Sequence, residues 1–225
     1  MPKQPSVRVF IVDDHPLVRE WLANLLRQQP DLTVCGHAED PASALSAIAA
    51  APPDVAIVDL SLKGGSGMDL IKDLTAQFPK VAIVVLSMHE EIYYAERALR
   101  AGARAYVMKR ESTGQIIEAI RQVLTGQVYA NPEILARLAA RMVGRGSKAA
   151  RGSVEGLSDR ELEVFRRLGQ GQATRHISEE LHLSIKTVQA YCARIKEKLG
   201  LANGAELVRE AVRWVEHSGG GSHEA

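Results

Sequence analysis

Two short apolar runs that stop abruptly on acids constrain this chain more than any other feature. Val9-Phe10-Ile11-Val12 ends in Asp13-Asp14-His15-Pro16, and Val55-Ala56-Ile57-Val58 ends in Asp59. Runs of that length bounded by polar residues read as strands buried on both faces, as in a parallel sheet. Carboxylates placed where such strands stop gather at the carboxyl edge of the sheet, where open α/β folds bind ligands. Three acids converging there repel one another unless a cation joins them. The cluster therefore implies a divalent metal and a phosphate-like partner.

The surrounding pattern supports that sheet. Strand-like runs at Val7–Val12, Leu32–Ala38, Val55–Asp59, Val81–Ser87 and Ala105–Met108 alternate with helical periodicities. The helices are expected near Pro16–Gln28, Pro41–Ala49, Met68–Phe78, Ile92–Ala101 and Thr113–Leu124. Five β/α units specify an α/β fold, a five-stranded parallel doubly wound sheet with helices on both faces. From Leu157 the pattern becomes helical only. Ser158 with Glu161 is a capping-box signature. Gly169 and Gly171 are expected to end that helix. A short helix near Ala173–Leu181, a tight turn at His182-Leu183-Ser184, a helix over Ile185–Leu199 capped by Ser184, and a last helix near Ala205–Val215 follow. The divisions expected are a first domain over 1–127, a connector over 128–156 whose helical start at Asn131–Arg141 either extends the first domain or belongs to the connector, a second domain over 157–217, and a disordered tail over 218–225.

At 225 residues and 46% hydrophobic content the chain has enough apolar material for one large domain or two small ones. No apolar stretch approaches the roughly 20 residues that span a bilayer. The polar start, Met1 to Ser6, gives no sign of a signal peptide. Cys35 and Cys192 stand far apart, outside any metal-ligand spacing, as in a reduced cytoplasmic protein. A cytoplasmic protein without a membrane partner is expected. The net charge of +1 is uninformative, but its distribution is not. Residues 1–136 hold 13 Lys/Arg against 16 Asp/Glu, residues 137–152 hold five basic residues and no acid, and residues 157–217 hold ten against nine. A basic connector is a solvated linker or grazes a nucleic-acid backbone.

In a sheet of order 2-1-3-4-5, the first and third strands are neighbours at the switch point. Asp13, Asp14 and Asp59 then share one pocket. Magnesium takes oxygen ligands and keeps several waters, so carboxylates plus one backbone carbonyl, from Ser61, suit it. The competing reading has Asp13 or Asp14 merely capping the helix that begins at Pro16. Ser87 ends the fourth strand and Lys109 follows the fifth, on the same edge. A hydroxyl donates to a phosphoryl oxygen, and an ammonium neutralises an added dianion. The set reads as an aspartate nucleophile: Asp59 attacks, a magnesium ion and Lys109 absorb charge, and Ser87 senses the product.

These residues carry a resemblance. Residues 7–125, with the acidic pair in VDDHP, Asp59 in VDLSLKGGSG, Ser87 in VLSMH, and GARAYVMK ending at Lys109, resemble the receiver domain of two-component response regulators, a flavodoxin-like fold. The resemblance implies phosphorylation of Asp59 by a histidine kinase, and a rotamer change of Tyr106 as Ser87 moves to the phosphoryl group. Read without the family, Tyr106 is a half-buried edge-strand aromatic. Lys63, Arg110 and Trp21 depart from the family's usual residues without removing a catalytic group.

The helix over 185–199 has a core stripe of Val188, Cys192, Ile195 and Leu199 and a basic, small, hydrogen-bonding face. Such a face suits a helix lying in a major groove, although a solvated amphipathic helix is the plainer reading. The string from LSDRELEV to EKLGL resembles the LuxR-type helix-turn-helix, and nearly the whole chain resembles the NarL/FixJ class. By that resemblance Gln189, Ala190 and Ala193 face base edges, and Lys186, Thr187, Arg194, Lys196 and Lys198 hold phosphates. Gln189, Tyr191, His176 and Gly204 stand where the family usually has Lys, His, Glu and Arg. The implied partners are a cognate kinase, double-stranded DNA and a second copy of the chain, with RNA polymerase as a further candidate. The function expected is phosphorylation-switched, sequence-specific DNA binding in transcription, not turnover of an external substrate. Two rivals are weighed. A phosphatase of the haloacid-dehalogenase type needs a second Asp where Ser61 stands. A phosphorylation-independent transcription factor would use its receiver only for protein contacts.

Overall fold

The computed structural model describes residues 6–62, 64–88, 92–110, 113–132, 134–136, 139 and 153–219. Lys63, most of the basic connector and the last six residues lie outside that set. The chain forms two compact units, one of residues 1–90 and 94–136 and the other of residues 91–93 and 137–225.

The first unit is a five-stranded parallel sheet of order β2-β1-β3-β4-β5. Its strands are β1 (Val7–Val12), β2 (Leu32–Ala38), β3 (Val55–Val58), β4 (Ala82–Ser87) and β5 (Ala105–Met108). Helices α1 (Pro16–Arg27), α2 (Pro41–Ala50), α3 (Gly67–Gln77), α4 (Ile92–Ala101) and α5 (Thr113–Leu124) alternate with them. All of β3 and β4 is buried, as continuous apolar runs in a parallel sheet require. Alternation sends Val9 and Ile11 to one face, where they join Leu22 and Leu26 of α1 and Ile116 and Ile120 of α5 in one cluster. The expected connector begins later than residue 128. Tyr129 forms a bridge with Ala105, donating to the Arg104 carbonyl and accepting from Tyr106, both at 2.9 Å.

The second unit, within the described residues, holds a 3-10 turn over Val154–Gly156 and helices α6 (Asp159–Gly169), α7 (Thr174–Glu180), α8 (Ile185–Leu199) and α9 (Gly204–Gly219). The capping box at Ser158 and Glu161 is present in both directions. Gly169 is the last residue of α6, as expected. A Cβ there would stand 2.3 Å from the Ala211 carbonyl, so the missing side chain lets α9 pack closely. Gly171, at φ +79°, makes the turn. The expected tail is shorter than the sequence suggested, because α9 continues through Gly219; residues 220–225 lie outside the described set. Phe165 and Trp214 pack 5.9 Å apart between α6 and α9, above buried Leu162, Ile177, Val188 and Ile195.

Candidate functional site

The acids meet where the strands end. Asp13 follows β1 and Asp59 follows β3, and the ladder that pairs Val12 with Val58 sets them side by side. The Asp59 amide donates to the Val12 carbonyl at 2.9 Å, which extends that register by one step. Asp13, Asp14 and Asp59 are 2%, 7% and 3% exposed. Lys109 follows β5, held by its amide on the Ser87 carbonyl at 2.8 Å. Its Nζ lies 2.7 Å from Asp13 Oδ2 and 2.7 Å from Asp59 Oδ2. Ser61 donates its amide to Asp59 Oδ1 at 3.3 Å.

Neither Asp13 nor Asp14 caps α1. The N-cap is His15, without a side-chain cap bond, and Asp13 Oδ1 accepts from the His15 amide at 2.8 Å. The aspartates are thus spent on the pocket and not on the helix start.

One ammonium faces three buried carboxylates, which leaves a formal deficit of two positive charges. Burial pushes the Asp59 carboxyl up to about 6, the Lys109 ammonium opposes that, and Asp13 adds to it. Burial pulls the Lys109 ammonium down, but Asp59 and Asp13 outweigh it and hold it above its ordinary value. A divalent cation matches this deficit and this hard oxygen donor set. Ligand atoms of Asp13, Asp14, His15 and Asp59 all lie within 4.8 Å of one another, so the residues fit such an ion.

Ser87 is fully buried at the end of β4, and Tyr106 on β5 is 4% exposed, more buried than an edge-strand aromatic should be. Three pocket neighbours escaped the sequence reading. Arg19 of α1 donates from Nη1 to the Asp13 carbonyl at 2.6 Å. His15 Nδ1 lies 2.7 Å from Asp14 Oδ1. Gly67 opens α3 where a Cβ would come 2.1 Å from the Asp59 carbonyl. Only the histidine was visible, as the third letter of Asp13-Asp14-His15; the other two depend on how the helix that follows each strand turns back onto the strand end.

The second candidate surface is α8. Ser184 caps it, accepting from the Thr187 amide at 3.0 Å, and its hydroxyl also bonds the Thr187 hydroxyl at 2.8 Å. Val188 and Ile195 are buried, while Cys192 and Leu199 are half-buried. Lys186, Gln189, Ala190, Ala193 and Arg194 are exposed, and Thr187 and Lys196 are half-buried. The Arg194 guanidinium stands 6.0 Å from the centre of the Tyr191 ring. Lys198 differs from this group. Its Nζ lies 2.6 Å from Glu161 Oε2 and 3.3 Å from the Gly156 carbonyl, which ties α8 to the start of α6. Burial pushes the Glu161 carboxyl up, but hydrogen bonds from Lys198 and at Ser158 outweigh it and hold the group below its ordinary value.

Residues 9–121 match the response regulator receiver domain, and residues 155–211 match the bacterial regulatory proteins of the luxR family. The chain is 38% identical over 202 residues to the transcriptional regulatory protein UhpA of Salmonella typhimurium, covering 89% of this chain and 95% of that one. It is 33% identical over 211 residues to the oxygen regulatory protein NreC of Staphylococcus carnosus, covering 92% and 97%. Among solved structures, the RcsB response regulator of Salmonella typhimurium superposes with a TM-score of 0.66 at 27% identity, covering 93% of this chain and 98% of that one. A complex of the RcsB response regulator with DNA matches at a TM-score of 0.56 and 28% identity, covering 93% and 99%. No helix among the described residues is long and apolar enough to cross a membrane.

Proposed function

Since the chain belongs to the response regulators that join a receiver domain to a LuxR-family module, we propose that Asp59 accepts a phosphoryl group from a histidine kinase and that this event controls DNA binding through α8. The observation that carries this reading is the Lys109 ammonium bridging Asp13 and Asp59, at 2.7 Å from each, at the carboxyl edge of the sheet. An ion pair buried among surplus acids is costly as architecture. With a divalent cation balancing the surplus acids, it is suited to receive added negative charge.

An Asp59 carboxylate oxygen attacks the phosphorus of a phosphohistidine. The P–N bond breaks, the phosphoryl passes to Asp59, and the leaving imidazole takes a proton from solvent. A magnesium ion held by Asp13, Asp14, Asp59 and the Ser61 carbonyl would neutralise charge on the phosphoryl oxygens. Lys109 pairs with the new dianion from the position it already holds beside Asp59. The Ser61 amide orients the nucleophile. Ser87 donates its hydroxyl to a phosphoryl oxygen, and Tyr106, one strand over, follows the space Ser87 vacates. The chain consumes its phosphodonor in labelling itself and turns over no other substrate.

The added charge is about −1.5 to −2. It biases the receiver toward a second arrangement that favours pairing of two copies, so that two α8 helices address two half-sites of a duplex. Gln189, Ala190 and Ala193 face base edges in this reading. Lys186, Thr187, Arg194 and Lys196 hold phosphates. Lys198 contributes chiefly by holding α8 against α6. RNA polymerase is a further partner of the DNA-bound form, and the cytoplasm is where kinase and DNA are both available.

Incubation with acetyl phosphate and magnesium, followed by peptide mass mapping, tests the chemistry. The label is expected on Asp59 alone and absent in Asp59→Asn. Labelling that persists in that variant would show that the nucleophile is another residue.

A further inference from the structure

The acid pocket contains one nitrogen ligand that its charge argument does not require. His15 Nδ1 lies 2.7 Å from Asp14 Oδ1 and 3.4 Å from Asp13 Oδ1. The imidazole is not used to cap α1, although His15 occupies the N-cap position. Its side chain is 63% exposed, so it reaches the pocket from the solvent side while the three acids stay buried. Ligand atoms from all four residues lie within 4.8 Å. In an octahedron with bonds of about 2.1 Å, neighbouring donors stand roughly 3.0 Å apart and opposite donors roughly 4.2 Å apart. The four residues are therefore within small side-chain movements of a shared ion.

Resting on the phosphoacceptor-pocket reading above, we propose that His15 is a further metal ligand, which raises the pocket's preference for first-row transition ions over magnesium. Magnesium is hard, prefers oxygen and holds its waters, so it gains nothing from the imidazole and uses the oxygen ligands alone. Nickel, cobalt and zinc ions accept imidazole nitrogen readily and rank above manganese at mixed nitrogen and oxygen sites. The pocket then discriminates between two classes of ion by one exposed side chain. The buried acids set the charge that any divalent ion must balance, and His15 sets the preference among them.

The test is competition between nickel and magnesium ions on the full chain, followed by calorimetry. Displacement of magnesium restricts the readout to ions that share its site and removes binding at other histidines. His15→Asn keeps a favourable N-cap residue at an exposed position, and its fold is checked by circular dichroism. Nickel is expected to displace magnesium from the unmodified protein, and His15→Asn is expected to lose about tenfold in nickel affinity while magnesium affinity stays within about twofold. Cobalt bound to the unmodified protein should show visible ligand-field bands that change in the variant. An unchanged ratio of nickel to magnesium affinity in His15→Asn overturns the assignment of His15 and leaves the acid pocket standing. Failure of the unmodified protein to bind magnesium at all overturns both.

Discussion

The acid pocket and the exposed face of α8 are both polar, and both were read from short strings of sequence, yet they hold their charges in opposite ways. In the pocket the carboxylates of Asp13, Asp14 and Asp59 are buried around one buried ammonium, with Lys109 at 2.7 Å from two of them. On α8, Lys186, Gln189 and Arg194 stand in solvent. Burial makes a charge declare its chemistry, because an unpaired buried ion is too costly to keep. Solvent imposes no such condition, so a surface charge reveals its role only when a partner arrives. The pocket is therefore an argument from geometry, and the α8 face an argument from composition and family.

That contrast can be broken most forcefully at Lys109. Lys109→Met leaves three buried carboxylates facing one another and should destabilise the receiver by about 3 kcal/mol, read by urea unfolding. Added magnesium should recover part of the loss. Stability equal to that of the unmodified protein would mean that the acids are not held as a charged cluster. The next largest effect belongs to the one basic residue of α8 that behaves like a pocket residue. Glu161→Ala removes both the Lys198 pair and half of the capping box and should cost about 1–2 kcal/mol in the second unit. Because the folded-state Glu161 carboxyl is held below its ordinary value, its contribution is complete above the ordinary carboxylate range. It is lost as pH falls through the lowered folded-state value. The melting temperature of Glu161→Gln should accordingly fall less on acidification than that of the unmodified chain.

Smaller effects should come from the solvent face. Gln189→Ala should cost about 1–2 kcal/mol at one base pair of the operator and little on unrelated DNA, measured by competition with single-substituted duplexes. Lys186→Ala should weaken all duplexes alike and reduce the slope of log affinity against log salt by about 0.9. A sequence-selective loss in Lys186→Ala would exchange the roles given to these two residues.

Much of this was legible before any coordinates. Apolar runs ending on Asp13 and Asp59 specified two parallel strands, the doubly wound order 2-1-3-4-5 made them neighbours, and β1 and β3 do pair. Ser158 with Glu161 announced α6, and the boundaries Ile185–Leu199 were readable because Ser184 and Gly200 punctuate them. The illegible parts depend on contacts that periodicity does not encode, some local and some distant in sequence. Nothing in the periodicity of α8 reveals that Lys198 meets Glu161, 37 residues earlier. Nothing in α1 reveals that Arg19 turns back onto the Asp13 carbonyl. Gly67 reads as a loop glycine until the Asp59 carbonyl is found beneath it. The tail over 218–225 looked polar, and helix α9 carries its first two residues because helix propagation needs no apolar side chain at an exposed end.

The most direct test of the account is the affinity of the full chain for its operator, measured with and without acetyl phosphate and magnesium, in the unmodified protein and in Asp59→Asn. The account predicts that phosphodonor tightens binding by about 5- to 150-fold in the unmodified protein, the range of ordinary allosteric coupling, and leaves the variant unchanged. Equal affinities in all four measurements would contradict it.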